Sequence, residues 1–256
     1  MKKIRFGAIH ADYITQAEAL EYIIDLAKSG KGGYIVTPNI DHVVLAQKNR
    51  QLRNAYAQAS LSLVDGMPLK WMSALVGEPL PEKVSGSDLV RPLLQRAAIS
   101  GLRVYFLGAA SGVAQTAADK MISEIPDLNI VGVDSPPLGF EKDPKQEQAT
   151  IDKMMSTEPN IVMLALGCPK QELTMHKWHK TTAPIVYLGI GATLDFIANK
   201  VKRAPSWMSD MGLEWVYRIS QDPKRMLHRY LVRDAAIAPI FLKMLRAKKS
   251  DIVFWN

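Results

Sequence analysis

Between Ile4 and Gly191, short apolar runs alternate with longer stretches whose apolar residues recur every three or four positions. The runs at 34–36, 61–64, 104–107, 130–133, 161–166 and 185–188 are close to continuously apolar. That pattern predicts strands covered on both faces rather than strands with one wet face. The intervening segments read as helices. Thr15 and Glu18 form a capping-box pattern opening a helix with Ala17, Leu20, Ile24 and Ala27 on one face. Further helices are expected at 40–57, 88–99, 112–124, 145–156 and 170–180. This β-α alternation predicts an α/β fold, a Rossmann-like and mostly parallel sheet with helices on both faces, over residues 1–200.

The chain end has a different texture. After Pro223, a favourable first helical residue, Met226, Leu227, Tyr230, Leu231, Phe241, Leu242 and Leu245 recur roughly at helical spacing with Lys and Arg between them. Pro239 is expected to kink or split this helix. The pattern predicts an amphipathic helical C-terminal appendage over 201–256, basic from about 224. Charge sharpens the picture. The net charge is +7, from 32 Lys+Arg and 25 Asp+Glu. Residues 224–249 hold eight cations and one acid, Asp234, so they account for all of it, and the rest balances at 24 against 24. The body is a neutral globular protein, with 48% apolar residues that exclude general disorder. Its basic end suits an anionic membrane interface, a nucleic acid, or a solvated cover over the body. Sparse aromatics in that segment disfavour a base-stacking platform.

A single cysteine, Cys168, excludes a disulfide framework. The start lacks the apolar stretch of a signal peptide, and the uncharged apolar run at 235–242 falls far short of the ~20 residues that span a bilayer. These features predict a cytoplasmic protein, with a membrane role left to its appendage.

Polar residues and glycines collect after the predicted strands: Thr37-Pro38-Asn39, Asp65-Gly66-Met67-Pro68, Gly108 to Gly112, Gly167 to Glu172 and Gly189 to Thr193. In open parallel sheets ligands bind outside the carboxyl ends of strands, so a single ligand cleft is expected there. Gly108-x-x-x-Gly112 suits a phosphate at a helix N-terminus, or simply a tight turn. It is not the dinucleotide fingerprint, which argues against a redox enzyme. Asp65 reads either as a helix N-cap or as a carboxylate placed to take a proton from a hydroxyl. Asp41 and Asp88 read as caps or first-turn acids. Gly189-x-Gly191 with Asp195 suggests a nucleotide-facing turn, and Lys202-Arg203 adds two cations that also fit a solvated loop. The five histidines show no metal spacing and there is no Asp-x-Asp, so no metal and no cofactor are expected.

Taken together, seven motifs stand in a recognisable order. They are the segments 34–46 (YIVTPNIDHVVLA), 64–68 (VDGMP), 84–89 (VSGSDL), 167–172 (GCPKQE), 189–196 (GIGATLDF), 202–205 (KRAP) and 212–218 (GLEWVYR). The chain closely resembles the TagA/WecG/CpsF family of bacterial glycosyltransferases from about residue 4 to residue 246. The resemblance implies an inverting, metal-independent transfer from a UDP-sugar to a saccharide on undecaprenyl diphosphate, in cell-surface polysaccharide or teichoic acid synthesis. Family donors are UDP-N-acetylmannosamine, its uronic acid or UDP-glucose. The resemblance also implies Asp65 as general base with Thr37 and Asn39 beside it. Lys83, Gly86, Ser87, Gly108, Gln171, Gly191, Asp195 and Arg203 fall to substrate binding. The appendage would dock on an anionic membrane surface, making the protein peripheral on the inner face, and bring Arg218, Arg225 and Arg229 towards the site. Homo-oligomerisation is compatible with this reading, and nucleic acid is not an expected partner.

Two residues depart from the family pattern. Lys83 stands where arginine is frequent, which keeps the charge but loses bidentate phosphate geometry. Asn199 replaces a usual glycine, and asparagine tolerates a left-handed turn. The competing class of function is a non-catalytic nucleotide- or RNA-binding regulator with a basic tail.

Overall fold

The computed structural model describes residues 1–227, 230 and 233–255, apart from the side chains of Ser206, Asp210 and Arg225. The expected Arg229 lies outside the described residues, as does the side chain of Arg225. The chain divides into two compact units. One comprises 17–36 and 86–202, and the other comprises 1–16, 37–85 and 203–256. With elements numbered in chain order, each unit is described in turn.

The first unit is the parallel sheet. Strands β3 (Gly33–Val36), β5 (Arg103–Gly108), β6 (Asn129–Asp134), β7 (Ile161–Ala165) and β8 (Val186–Gly189) lie in the order β3-β8-β7-β5-β6. All four pairings are parallel. The flanking helices are α1 (Gln16–Lys28), which starts at the last residue of the other unit, α5 (Gly86–Ile99), α6 (Val113–Glu124), α7 (Pro144–Met155), α8 (Lys170–Trp178) and α9 (Thr193–Ile197). Tyr34, Ile35, Val104, Phe106, Val162, Leu164, Val186 and Leu188 are fully buried, which is why these strands read as uninterrupted apolar runs. β6 is the edge strand and is only half-buried. Asn199 does adopt the left-handed conformation, at φ 56°.

The second unit contains an element that apolar runs did not predict. Strands β1 (Lys2–Phe6), β2 (Ile9–Asp12) and β9 (Val253–Trp255) form an antiparallel sheet in the order β2-β1-β9. Charged residues interrupt β1, and its partner β9 comes from the other end of the chain. Glu78 ties the same region together through ion pairs with Lys2, at 2.6 Å, and with Lys249.

The expected helix at 40–57 is two helices, α2 (Ile40–Lys48) and α3 (Arg50–Ala57). Asn49 breaks it: its side chain accepts a hydrogen bond from the Leu52 N–H at 3.0 Å, capping α3. The strand expected at 61–64 is only β4 (Leu61–Ser62), and α4 (Met67–Leu75) follows. From Arg203 onward come α10 (Ser206–Asp210), α11 (Glu214–Gln221), α12 (Pro223–Leu227), α13 (Ile237–Arg246) and α14 (Lys249–Ile252). Pro239 sits in the first turn of α13, where its missing N–H costs nothing. No helix among the described residues is long and apolar enough to cross a membrane.

Candidate active site

Asp65 stands between β4 and α4, and backbone bonds hold its loop from two sides. Its N–H donates to the Pro38 carbonyl at 2.8 Å, and the Val84 N–H donates to the Val64 carbonyl at 2.8 Å. The Thr37-Pro38-Asn39 loop and the segment entering Val84-Ser85 are thereby fastened to the Asp65 loop. Gly66, not Asp65, is the N-cap of α4, so the capping alternative for Asp65 falls away. Asp65 is half-buried and lines a cavity of about 430 Å³. That volume suits a small-molecule site.

The cavity also takes in Asn39 and Lys83 from the same unit, and Glu214, Trp215 and Arg218 from α11. The Arg218 guanidinium donates from Nε and Nη2 to Glu214 Oε1, at 2.9 and 2.5 Å. Burial opposes its charge, but the neighbouring carboxylates of Glu214 and then Asp65 overcome that and push its pKa upward. A permanently charged guanidinium and the Asp65 carboxylate therefore act on one cavity. Trp215 meets Tyr230 edge-on, with ring centroids 6.1 Å apart, giving the cavity an aromatic wall.

Asp41 and Asp234 line it as well. Asp41 does lie in the first turn of α2, as the sequence suggested, but it is buried and ion-paired with Arg233. Arg233 Nε lies 2.7 Å from Oδ1, and Nη2 donates to Oδ2 at 2.8 Å, a two-pronged contact.

Several expected residues hold structure. Asn39 Oδ1 accepts from the His42 N–H at 3.3 Å and so caps α2, although Asn39 also lines the cavity. Thr37 is buried and Arg203 exposed, and neither lines it.

The remaining expected residues belong to the parallel-sheet unit, at the carboxyl ends of its strands. Gln171 is 2% exposed, with Nε2 donating to Glu172 at 2.8 Å and Oε1 accepting from the Gly191 N–H at 3.2 Å. It braces the turn after β8. Ser87 Oγ lies 3.2 Å from Thr193 Oγ1, which donates to the Ile190 carbonyl at 2.5 Å, joining the starts of α5 and α9. Gly86 packs close to that turn, a Cβ there falling 3.4 Å from Ile190 Cα. Gly108 is demanded by packing: a Cβ would stand 2.6 Å from the Ala165 carbonyl oxygen, and φ is +107°. Asp195, in the first turn of α9, has its pKa raised by burial.

Sequence reasoning passed over Glu214, Trp215 and Tyr230. The signal for the first two lay inside the Gly212–Arg218 motif, where only the arginine was singled out. Gly212 itself is packed against Trp71, with a Cβ there only 2.4 Å from the indole.

Comparison with known proteins gives the family. The model described as "Glycosyl transferase WecG/TagA/CpsF family" matches residues 4–251. The N-acetylglucosaminyldiphosphoundecaprenol N-acetyl-beta-D-mannosaminyltransferase of Bacillus spizizenii (strain ATCC 23059 / NRRL B-14472 / W23) is 33% identical over 195 residues. That match covers 76% of this chain and 74% of the relative. The protein of the same name from Bacillus subtilis (strain 168) is 30% identical over 228 residues, 88% of this chain and 83% of the relative. A match over nearly the whole chain, with the Asp65 loop and the Arg218 motif brought to one cavity, places the chain in the WecG/TagA/CpsF family, and it is a glycosyltransferase.

Proposed function

We propose that the enzyme moves N-acetylmannosamine from its UDP derivative to an N-acetylglucosaminyl diphosphoundecaprenol acceptor, with inversion and without a metal. The names of the two relatives support this sugar and acceptor, and the family resemblance implies the UDP carrier. The observation that carries the chemistry is that Asp65, Arg218 and Lys83 share one cavity, with the Arg218 charge sustained beside carboxylates.

In this reading the Asp65 carboxylate takes the proton of the acceptor hydroxyl as its oxygen attacks the anomeric carbon. The bond from that carbon to the UDP oxygen breaks on the opposite face, and its electron pair leaves on the diphosphate. Arg218 and Lys83 supply fixed positive charge where that negative charge develops. Trp215 and Tyr230 give an apolar wall for a sugar ring.

Asp65→Asn tests it, because the amide keeps the shape and cannot accept the proton. Turnover is expected to fall by about 10²–10⁴-fold, the usual worth of a general base. UDP-sugar binding by calorimetry is expected to persist. Turnover within tenfold of the parent overturns the assignment. Activity is expected to survive exhaustive chelation; loss on chelation with recovery on adding Mg²⁺ overturns the metal-free part. A donor panel of UDP-N-acetylmannosamine, its uronic acid and UDP-glucose decides the sugar.

We also propose peripheral attachment to anionic membranes. Removing the C-terminal segment is a poor test because it deletes β9 from the antiparallel sheet. Lys243→Glu with Lys248→Glu, both on exposed residues, is expected to weaken co-sedimentation with phosphatidylglycerol vesicles. Undiminished co-sedimentation counts against this attachment.

A further inference from the structure

A second concavity in the same unit, a groove of about 740 Å³, is not used by the chemistry above. Its walls are apolar, formed by Val44 and Leu45 of α2, Ala236, and Pro239, Ile240 and Met244 of α13. The cations Arg5, Lys48 and Lys243 line it too, as does Arg233, which is paired with Asp41. Asp251 is the one acid lining it among the described residues.

The groove shares a partition with the Asp65 cavity. Ile40 and Asp41 of α2 face the cavity, whereas Val44, Leu45, Gln47 and Lys48 of the same helix face the groove. The segment 233–237 is divided similarly. Asp234 and Ala235 line the cavity, and Arg233 and Ala236 line the groove. The Asp41–Arg233 ion pair joins the two sides of that partition.

We propose that this groove binds the isoprenoid chain of the lipid-linked acceptor, next to its diphosphate. A free nucleotide or an inorganic anion has no use for an apolar wall of this extent, and an uncharged alkane has none for Arg5, Lys48 and Lys243 in the same lining. A ligand with an apolar chain joined to a diphosphate matches both. The shared partition puts such a chain beside the cavity where its sugar must react. The inference rests on the lipid-linked acceptor proposed above.

The test uses the full-length protein, with farnesyl diphosphate as the probe and inorganic diphosphate as its control, by calorimetry without any sugar donor. Fully burying even about three carbons of the chain is worth roughly 50-fold in affinity, so at least that advantage is expected for farnesyl diphosphate. Ala236→Trp and Ala247→Trp introduce bulk from exposed groove-lining positions. Each is expected to cut the advantage to below about fivefold by filling the groove, and two separate positions guard against one variant folding badly. Equal binding of the two diphosphates by the parent protein overturns the proposal. So does an advantage that survives both substitutions. Equal binding of dihexanoyl phosphatidylglycerol makes the groove a general lipid site and also overturns it. The readout involves no transfer, so a failed sugar assignment leaves this result standing, and a failed binding result leaves the sugar assignment standing.

Discussion

The Asp41–Arg233 pair gives a sharp test of the partition between cavity and groove. Asp41 is 7% exposed at its side chain and Arg233 is 42% exposed. Arg233→Met keeps the aliphatic stem and removes both donors, leaving a buried carboxylate without that partner. Breaking a fully buried pair costs about 3–5 kcal/mol, and an exposed pair is worth about 0–1. With one partner buried and the other half in water, the expected cost lies between them, near 2.5 kcal/mol. The helix-end stabilisation of Asp41 is the same in both proteins and cancels, so the expected shift is roughly 5–10 °C in Tm for a domain of this size. Asp41→Asn should cost less, about 0.5–1 kcal/mol, because Arg233 already reaches solvent while the amide still accepts a hydrogen bond. The double variant should be more stable than Arg233→Met alone, since it no longer buries a charge. Urea unfolding of all four proteins, compared at unchanged m-value, measures this directly. An Arg233→Met cost under about 0.5 kcal/mol, or a double variant that merely sums the two singles, refutes the reasoning.

Other expectations follow from single side chains. Gly108→Ala should destabilise more than Gly212→Ala, by about 3 against 1–2 kcal/mol in chemical denaturation, because its new methyl meets the Ala165 backbone whereas Gly212 meets a movable Trp71 ring. Ser209 is buried in the cavity wall, and its Oγ has no hydrogen-bond partner among the described residues. Ser209→Ala should leave stability unchanged or slightly raised in urea unfolding, because it removes a buried hydroxyl that makes no such bond, and a loss above about 1 kcal/mol refutes this. His10 is held down to about 4 by burial, then by Lys3 and Arg5. Between about pH 4 and 6.5 the unfolded chain therefore binds more protons, so stability should fall as pH drops through that window and flatten in His10→Gln. Glu78 is pulled down to about 2 by Lys2 and Lys249. Its contribution is present above the ordinary glutamate range and lost as pH falls towards 2, and Glu78→Gln should remove that acid-side slope in a pH series of urea midpoints.

The sequence by itself determined the parallel sheet, because strands buried on both faces must be apolar along their buried length, and β3, β7, β8 and β5 after its leading Arg103 are. It also singled out two residues that line one cavity, Asp65 after a buried strand and the arginine of the Gly212–Arg218 motif. Other features were decided only in three dimensions. β1 reads as a charged, interrupted segment until β9, some 250 residues later in the chain, pairs with it. The break at Asn49 turns on one side-chain cap that competes with helix continuity, a choice that periodicity does not register. Gln171, which the motif suggested for substrate, has its amide oxygen bonded to the Gly191 turn and its amide nitrogen to Glu172, because a buried amide must satisfy its own polar atoms. Asp41 looked like a helix-end acid and became a partition wall, since its partner Arg233 stands 192 positions away. Local pattern fixes which elements form and which faces they bury. Pairing across the chain decides which charges meet, and here that decided where the cavity ends and the groove begins.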